Sequence, residues 1–211
     1  MRVSAYLQRT DNCGVDQGLW HEAHAPTDAF GEKLRIGGVK IFSDGGTCGP
    51  LAASEEWIEG VGPDEPFHDR EILEGFVGDA HEAGYPVVIH AQGDLAIDNA
   101  QRAIAAALDG TPNTLRHRID HNAIVMPELL PRYGEIGIVA VTFAYFPTCG
   151  ETAWTDFWKD YGEGWRALLD ANPGAHIAWH GDDPFVTPLN PLLDLFSLAT
   201  RKDVGPGGEL F

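Results

Sequence analysis

The chain has 211 residues, 44% hydrophobic and 22% charged, a composition that fits one soluble globular domain and excludes a disordered or fibrous chain. Its 32 acidic against 14 basic residues give a formal charge of -18; such a surface repels nucleic acid and anionic membranes, so neither is expected as a partner. No apolar run approaches the ~18 residues that span a bilayer and the N-terminus lacks a signal-peptide core, so a cytoplasmic protein is expected.

Residues 2–8 read as a strand, and a polar stretch containing His21 and His24 runs from there to Glu32. A second strand, Leu34–Phe42, closes on Ser43-Asp44-Gly45-Gly46. Between Asp69 and Ala83 the residues Ile72, Leu73, Phe76, Val77 and Ala80 recur at helical spacing, with Asp69 in N-cap position and Gly84 after the end. Residues 86–90 form the next apolar strand. The helix over 95–108 puts Ile97, Ala100, Ile104 and Leu108 on one face, with Asp94 as its expected N-cap. The alternation continues with a strand over 115–120, a short helix over 128–133, a strand over 136–142, a helix over 165–171 and a strand over 176–180. A helix over 192–201, with Pro191 in its first turn, completes the series. Six strands, each followed by a helix or loop, imply parallel pairing through βα crossovers. Cys13, Cys48 and Cys149 are odd in number and far apart with no C-x-x-C, so neither a disulfide framework nor a thiolate zinc site is signalled.

Asp44, His90, His121, Thr142 and Asp183 stand at or just beyond the C-terminal ends of the last five strands. In an α/β barrel or an open parallel sheet that end is the active-site face. Each residue has a structural use of its own: His90 as a core histidine bonded to backbone, His121 as a rim residue, Asp182 and Asp183 as turn formers. Alternation along residues 116–121 places His117, Ile119 and His121 on one face. Taken together, two imidazoles and a carboxylate on successive strand ends supply the N and O ligands that zinc or a similar divalent metal prefers. Such an ion lowers the pKa of a bound water toward ~7, and a carboxylate beside it can pass the proton to a leaving amine. Lys40, inside the apolar strand, is costly unless paired, deprotonated, modified or able to snorkel to the strand end.

With Gly38-Val39-Lys40-Ile41-Phe42-Ser43-Asp44-Gly45-Gly46, Val88-Ile89-His90-Ala91-Gln92-Gly93-Asp94, Arg116-His117-Arg118-Ile119-Asp120-His121 and Gly181-Asp182-Asp183-Pro184-Phe185, the chain resembles the amidohydrolase superfamily. More narrowly it is similar to the amidohydrolase family 3 branch that includes the N-substituted formamide deformylases. The resemblance implies an α/β fold, a metal-dependent (β/α)8 TIM-type barrel, accompanied by a small β-sandwich. It further implies that His90 is the metal ligand on barrel strand five, His121 the ligand on strand six, and Asp183 the strand-eight carboxylate that binds metal and acts as general base. Lys40 matches the strand-four position, where many members carry a carboxylated lysine that bridges two ions. One or two divalent ions, zinc first among them, are the implied cofactor.

The superfamily's first-strand His-x-His has no counterpart, since His21-Glu22-Ala23-His24 carries one residue too many between the imidazoles. On this correspondence residues 2–8 are strand three. Residues 1–211 are therefore expected to be a partial barrel catalytic domain, about strands three to eight, lacking the first two strands and the sandwich segments. Two open parallel edges would invite self-association, and the isolated chain would bind metal weakly and be inactive. The implied reaction is hydrolysis of a C–N bond in a small amide-like, non-peptide substrate by a metal-activated water, with Trp154, Phe157 and Trp158 as an apolar substrate cover or as ordinary packing. Three other readings stay open: an ester or lactone hydrolase using the same centre, a non-catalytic partial barrel acting as a binding or scaffold partner, and a metal-free barrel using His and Asp for proton transfer.

Overall fold

The computed structural model describes residues 2–29, 33–45, 49–56, 62–143, 164–175, 177–182 and 190–200. In chain order its elements are β1 (Val3–Gln8), α1 (Trp20–Ala23), β2 (Thr27–Ala29), β3 (Leu34–Phe42), α2 (Arg70–Glu82), β4 (Val87–Ala91), α3 (Asp94–Leu108), β5 (Arg118–His121), α4 (Arg132–Ile136), β6 (Val139–Phe143), α5 (Trp165–Ala171), β7 (Ile177–His180) and α6 (Pro191–Thr200). Six strands pair in parallel in the order β1-β3-β4-β5-β6-β7 and form an α/β half-barrel. The short β2 pairs antiparallel with the first part of β3, while the later part of β3, from Val39 to Phe42, pairs with β4. Nine residues of β3 thus serve β1 on one side and two partners in succession on the other.

The strands alternate as pleated strands must, and their helix-facing side chains make the core. Val39, Ile41, Val87, Ile89, Ile119 and Ala140 pack with Leu73, Phe76, Val77 and Ala80 of α2 and with Ile97, Ala100, Ile104 and Leu108 of α3. All five residues of β4 are buried, which is why it reads as a continuous apolar run rather than an alternating one. Ile104 is fully buried in this layer, so Ile104→Ala is expected to cost about 2–5 kcal/mol in a denaturant titration. A loss below about 1 kcal/mol would mean that the face of α3 does not pack as described. On the concave side, Arg118 lies over the Tyr6 ring at 5.2 Å. That side holds a cavity of about 400 Å³ lined by Tyr6, Arg35, Val88, Arg118 and Val141.

Several sequence expectations shift. The stretch after β1 contains α1 and β2, neither of which its polar composition signalled. The fourth helix runs over Arg132–Ile136 rather than 128–133; it ends where Gly137 turns left-handed (φ 78°), and the following strand starts at Val139 rather than 136. Asp94 is not the cap of α3. Gly93 holds that place, and the Asp94 carboxylate instead accepts the N–H and hydroxyl of Ser54 at 3.0 and 2.5 Å. Cys13 is disulfide-bonded, although sequence spacing signalled no bridge; distance along the chain did not bound distance in space, and both other cysteines fall outside the described residues. Among the described residues no helix is long and apolar enough to cross a membrane.

Candidate metal centre

The ends of β3 to β7 deliver their polar side chains to one place. In register, Phe42 lies opposite His90, His90 opposite Asp120, His121 opposite Thr142, and Phe143 opposite His180. The His90 and His121 rings stand 4.2 Å apart between centroids, and the His121 and His180 rings 4.5 Å apart, edge to face. By alternation His121 should follow His117 and Ile119 toward the helices. Its left-handed backbone (φ 79°) ends the alternation, and its ring joins the other two imidazoles instead. Asn122, also left-handed (φ 56°), anchors this bend: its amide donates to the carbonyls of Ile119 and Val141, and its side-chain oxygen accepts the Tyr133 hydroxyl. Asn tolerates that backbone region better than most residues.

Ligand-capable atoms of His121, His180 and Asp182 lie within 4.8 Å of one another. His180 Nδ1 is 3.0 Å from Asp182 Oδ1, which fixes the ring, while its Nε2 is buried with no hydrogen-bond partner among the described residues. An orphaned buried imidazole nitrogen beside a second imidazole and a carboxylate is the donor set that suits a divalent ion. Thr142 Oγ1, also buried, is likewise unsatisfied among the described residues. Burial and the neighbouring His90, His180 and Lys40 hold His121 far below the ordinary histidine value, so its ring is neutral and its lone pair is available. Burial raises the Asp182 carboxyl, but the hydrogen bond and charge of His180, with Lys40 and His90, outweigh that and bring it below the usual range.

His90 sits differently. Its Nε2 meets the carbonyl of Gly45 at 2.9 Å, and burial together with the Lys40 charge pushes its pKa to about 4. Lys40 is neither free nor snorkelling: its ammonium is 3.3 Å from Asp120 Oδ2, and Arg118 holds the other carboxylate oxygen at 3.0 Å. Burial lowers the Lys40 pKa, with Asp120 working the other way by charge and hydrogen bond. Asp183, Trp154, Phe157 and Trp158 lie outside the described residues. The sequence reading did not single out His180 as a ligand, although the signal was there: it ends its strand as His90 ends the apolar run before it. His21 and His24 take no part in the cluster; His21 packs edge-on to Tyr85, which precedes β4, and the Tyr85 hydroxyl donates to the His24 carbonyl.

The model of the amidohydrolase family matches residues 16–210. The chain belongs to the amidohydrolase family. Over 184 residues this amidohydrolase is 29% identical to YtcJ of Bacillus subtilis (strain 168), an amidohydrolase by name, with 82% of the chain and 33% of the relative covered. Among solved structures it superposes on an uncharacterized metal-dependent hydrolase from Pyrococcus furiosus with a TM-score of 0.69 at 22% identity, covering 94% of this chain and 40% of that one. A metal-dependent hydrolase from Pyrococcus horikoshii OT3 gives the same TM-score at 20% identity, with 95% and 39% covered. At such identities these two establish the fold, and the amidohydrolase chain spans a third of the length of the curated relative it matches.

Proposed function

We propose that this protein is a metal-dependent hydrolase that cleaves a C–N bond in small amide-like, non-peptide substrates. The observation that carries the reading is the grouping of His121, His180 and Asp182, whose ligand-capable atoms lie within 4.8 Å of one another, beside a His180 Nε2 that is buried with no hydrogen-bond partner among the described residues. His121, His180 and a carboxylate of the adjacent Asp182 and Asp183 would hold a divalent ion, with zinc the first choice for an N and O donor set. A bound ion would supply Lewis-acid polarisation of a carbonyl and acidify water.

The chain's own residues support that chemistry. Neutral His90 and His121 do not compete with an ion by carrying charge. The Lys40 and Arg118 cations hold Asp120 between them, so that acidic group beside His121 is already committed. Asp183, next in sequence to Asp182, is assigned the general-base role by the family resemblance. It would take a proton from attacking water and return it to the departing amine nitrogen.

The test is a zinc-loaded preparation assayed against N-acyl and N-formyl amines and the matching esters. Amide turnover that falls about 100-fold or more in Asp183→Asn is expected. Ester turnover without amide turnover would overturn the C–N assignment. Absence of both turnover and bound metal would favour a non-catalytic binding role.

A further inference from the structure

Asp44 lies one residue beyond Ser43, where β3 has ended, and is buried to 1% exposure. Its carboxylate is a hub of backbone donors. Oδ2 accepts the N–H groups of Gly93 at 2.7 Å and Ala52 at 3.1 Å, and Oδ1 accepts that of Gln92 at 3.0 Å, with a longer contact from the same N–H to Oδ2. These donors belong to the turn after His90 and to Ala52. The next residue, Gly45, is tied back through its own N–H to the Pro50 carbonyl at 3.1 Å. Its carbonyl receives both His90 Nε2 at 2.9 Å and the Gln92 amide at 3.1 Å. The spacing leaves no room for side chains: a Cβ on Gly45 would lie 2.0 Å from the Gly49 carbonyl oxygen, and one on Gly93 would lie 1.9 Å from that of Ala52.

We infer that Asp44 is a positioning residue for the candidate centre, fixing the Gly45 carbonyl against His90 so that the His90 proton stays on Nε2 and the ring holds one orientation beside His121. The inference rests on the hydrolase reading for its consequence, though not for its geometry. His90 Nε2 has two contacts, the Gly45 carbonyl, which can only accept, at 2.9 Å and the Gln92 amide nitrogen, which can only donate, at 3.3 Å; the amide has the Gly45 carbonyl as its shorter acceptor at 3.1 Å, so the shorter contact of each places the hydrogen on Nε2. Nδ1, which has no hydrogen bond among the described residues, then keeps its lone pair. Outer partners of this kind fix the tautomer and direction of a metal-site imidazole. Asp44 itself stands 3.5 Å from His90 Nε2 through Oδ1, close enough to favour a hydrogen there.

Asp44→Asn separates positioning from bulk packing because it keeps the shape. If the Asn oxygen takes the place of Oδ2, its NH2 group faces the Gln92 N–H and His90 Nε2, donor against donor. The His90 tautomer is read by two-bond 1H–15N spectra of the zinc-loaded full chain, assigned with His90→Ala. Unaltered protein is expected to show the Nε2–H form at neutral pH. Asp44→Asn should lose it, with zinc affinity down about 10- to 100-fold while circular dichroism is retained. An Nδ1–H form in the unaltered protein overturns the proposal, even if the variant fails to fold. So does a folded Asp44→Asn with unchanged tautomer and zinc affinity. Failure of the unaltered protein to hydrolyse any amide would overturn the hydrolase reading and leave the tautomer result standing.

Discussion

Alanine at His180 should empty the centre: an ion retained by the unaltered chain through dialysis is expected to be lost, with affinity lower by at least about 100-fold. Two effects act together. The substitution removes one of three donors, and it frees Asp182 Oδ1 from the 3.0 Å contact that holds that carboxylate toward the cluster. Metal analysis after dialysis gives the occupancy directly. A second readout is the rise in unfolding free energy on adding zinc, which reaches about 4 kcal/mol for a site at 1,000 times its Kd and shrinks as affinity falls. Alanine at His68 is the control, since its buried Nε2 also has no partner among the described residues but its ring meets Phe76 edge to face rather than joining the cluster. Equal zinc retention in the His180 and His68 variants would remove the centre from this location.

The second large effect concerns the opposite ends of the strands. His117, fully buried just before β5, accepts the Val87 N–H at Nδ1 (3.0 Å), so its hydrogen is on Nε2, 2.8 Å from His81 Nδ1. Burial and the neighbouring His81 push its pKa down to about 4. In the unfolded chain the same side chain takes its proton near 6.5, so between these values the unfolded state binds more protons. The contribution of neutral His117 is complete above pH 6.5 and is lost as the pH falls to about 4, to the extent of about 3 kcal/mol. His90, also near 4, acts with the same sign. Asp44 acts with the opposite one: burial pushes it to about 7 against the pull of the Gly93, Gln92 and Ala52 N–H groups, a contribution that is complete below about pH 3.8 and is lost as the pH rises to about 7. The clean measurement is therefore a difference. Chemical denaturation of unaltered and His117→Gln chains at pH 7 and pH 4.5 should show a smaller acid loss in the variant. Parallel pH profiles would show that His117 is not held neutral by its surroundings.

How much of this was legible depended on whether the signal was local. The strand Leu34–Phe42 is read to its bounds because an apolar run ends on Ser-Asp-Gly-Gly, and α2 because five apolar residues recur at helical spacing beside Asp69. The strand Thr27–Ala29 has no such pattern; it exists through its pairing with β3, which no three-residue window displays. His90 and His121 are visible as strand ends, yet their surroundings are not. The carbonyl that engages His90 lies 45 positions away, and the turn of His121 out of its alternating face comes from a positive φ stabilised by Asn122. His180 is equally visible at a strand end, but Asp182 and Asp183 just beyond it offer the carboxylate that a strand-end metal site asks for. Between Asp182 and Asp183 composition does not choose. The left-handed backbone at Asp182 (φ 52°) and its contact with His180 are what put it in the cluster.

The strand order carries a consequence for how the protein is made. Apart from β2, each strand joins the sheet beside the one synthesised before it, so pairing advances along one direction as the chain emerges. Neighbouring pairings of this kind close moderate loops and avoid the entropic delay of joining distant ends. His121 is in place once β5 has docked, but His180 and Asp182 arrive only with β7. On the proposed reading, an ion held by His121, His180 and Asp182 would therefore be captured only after β7 has joined the sheet.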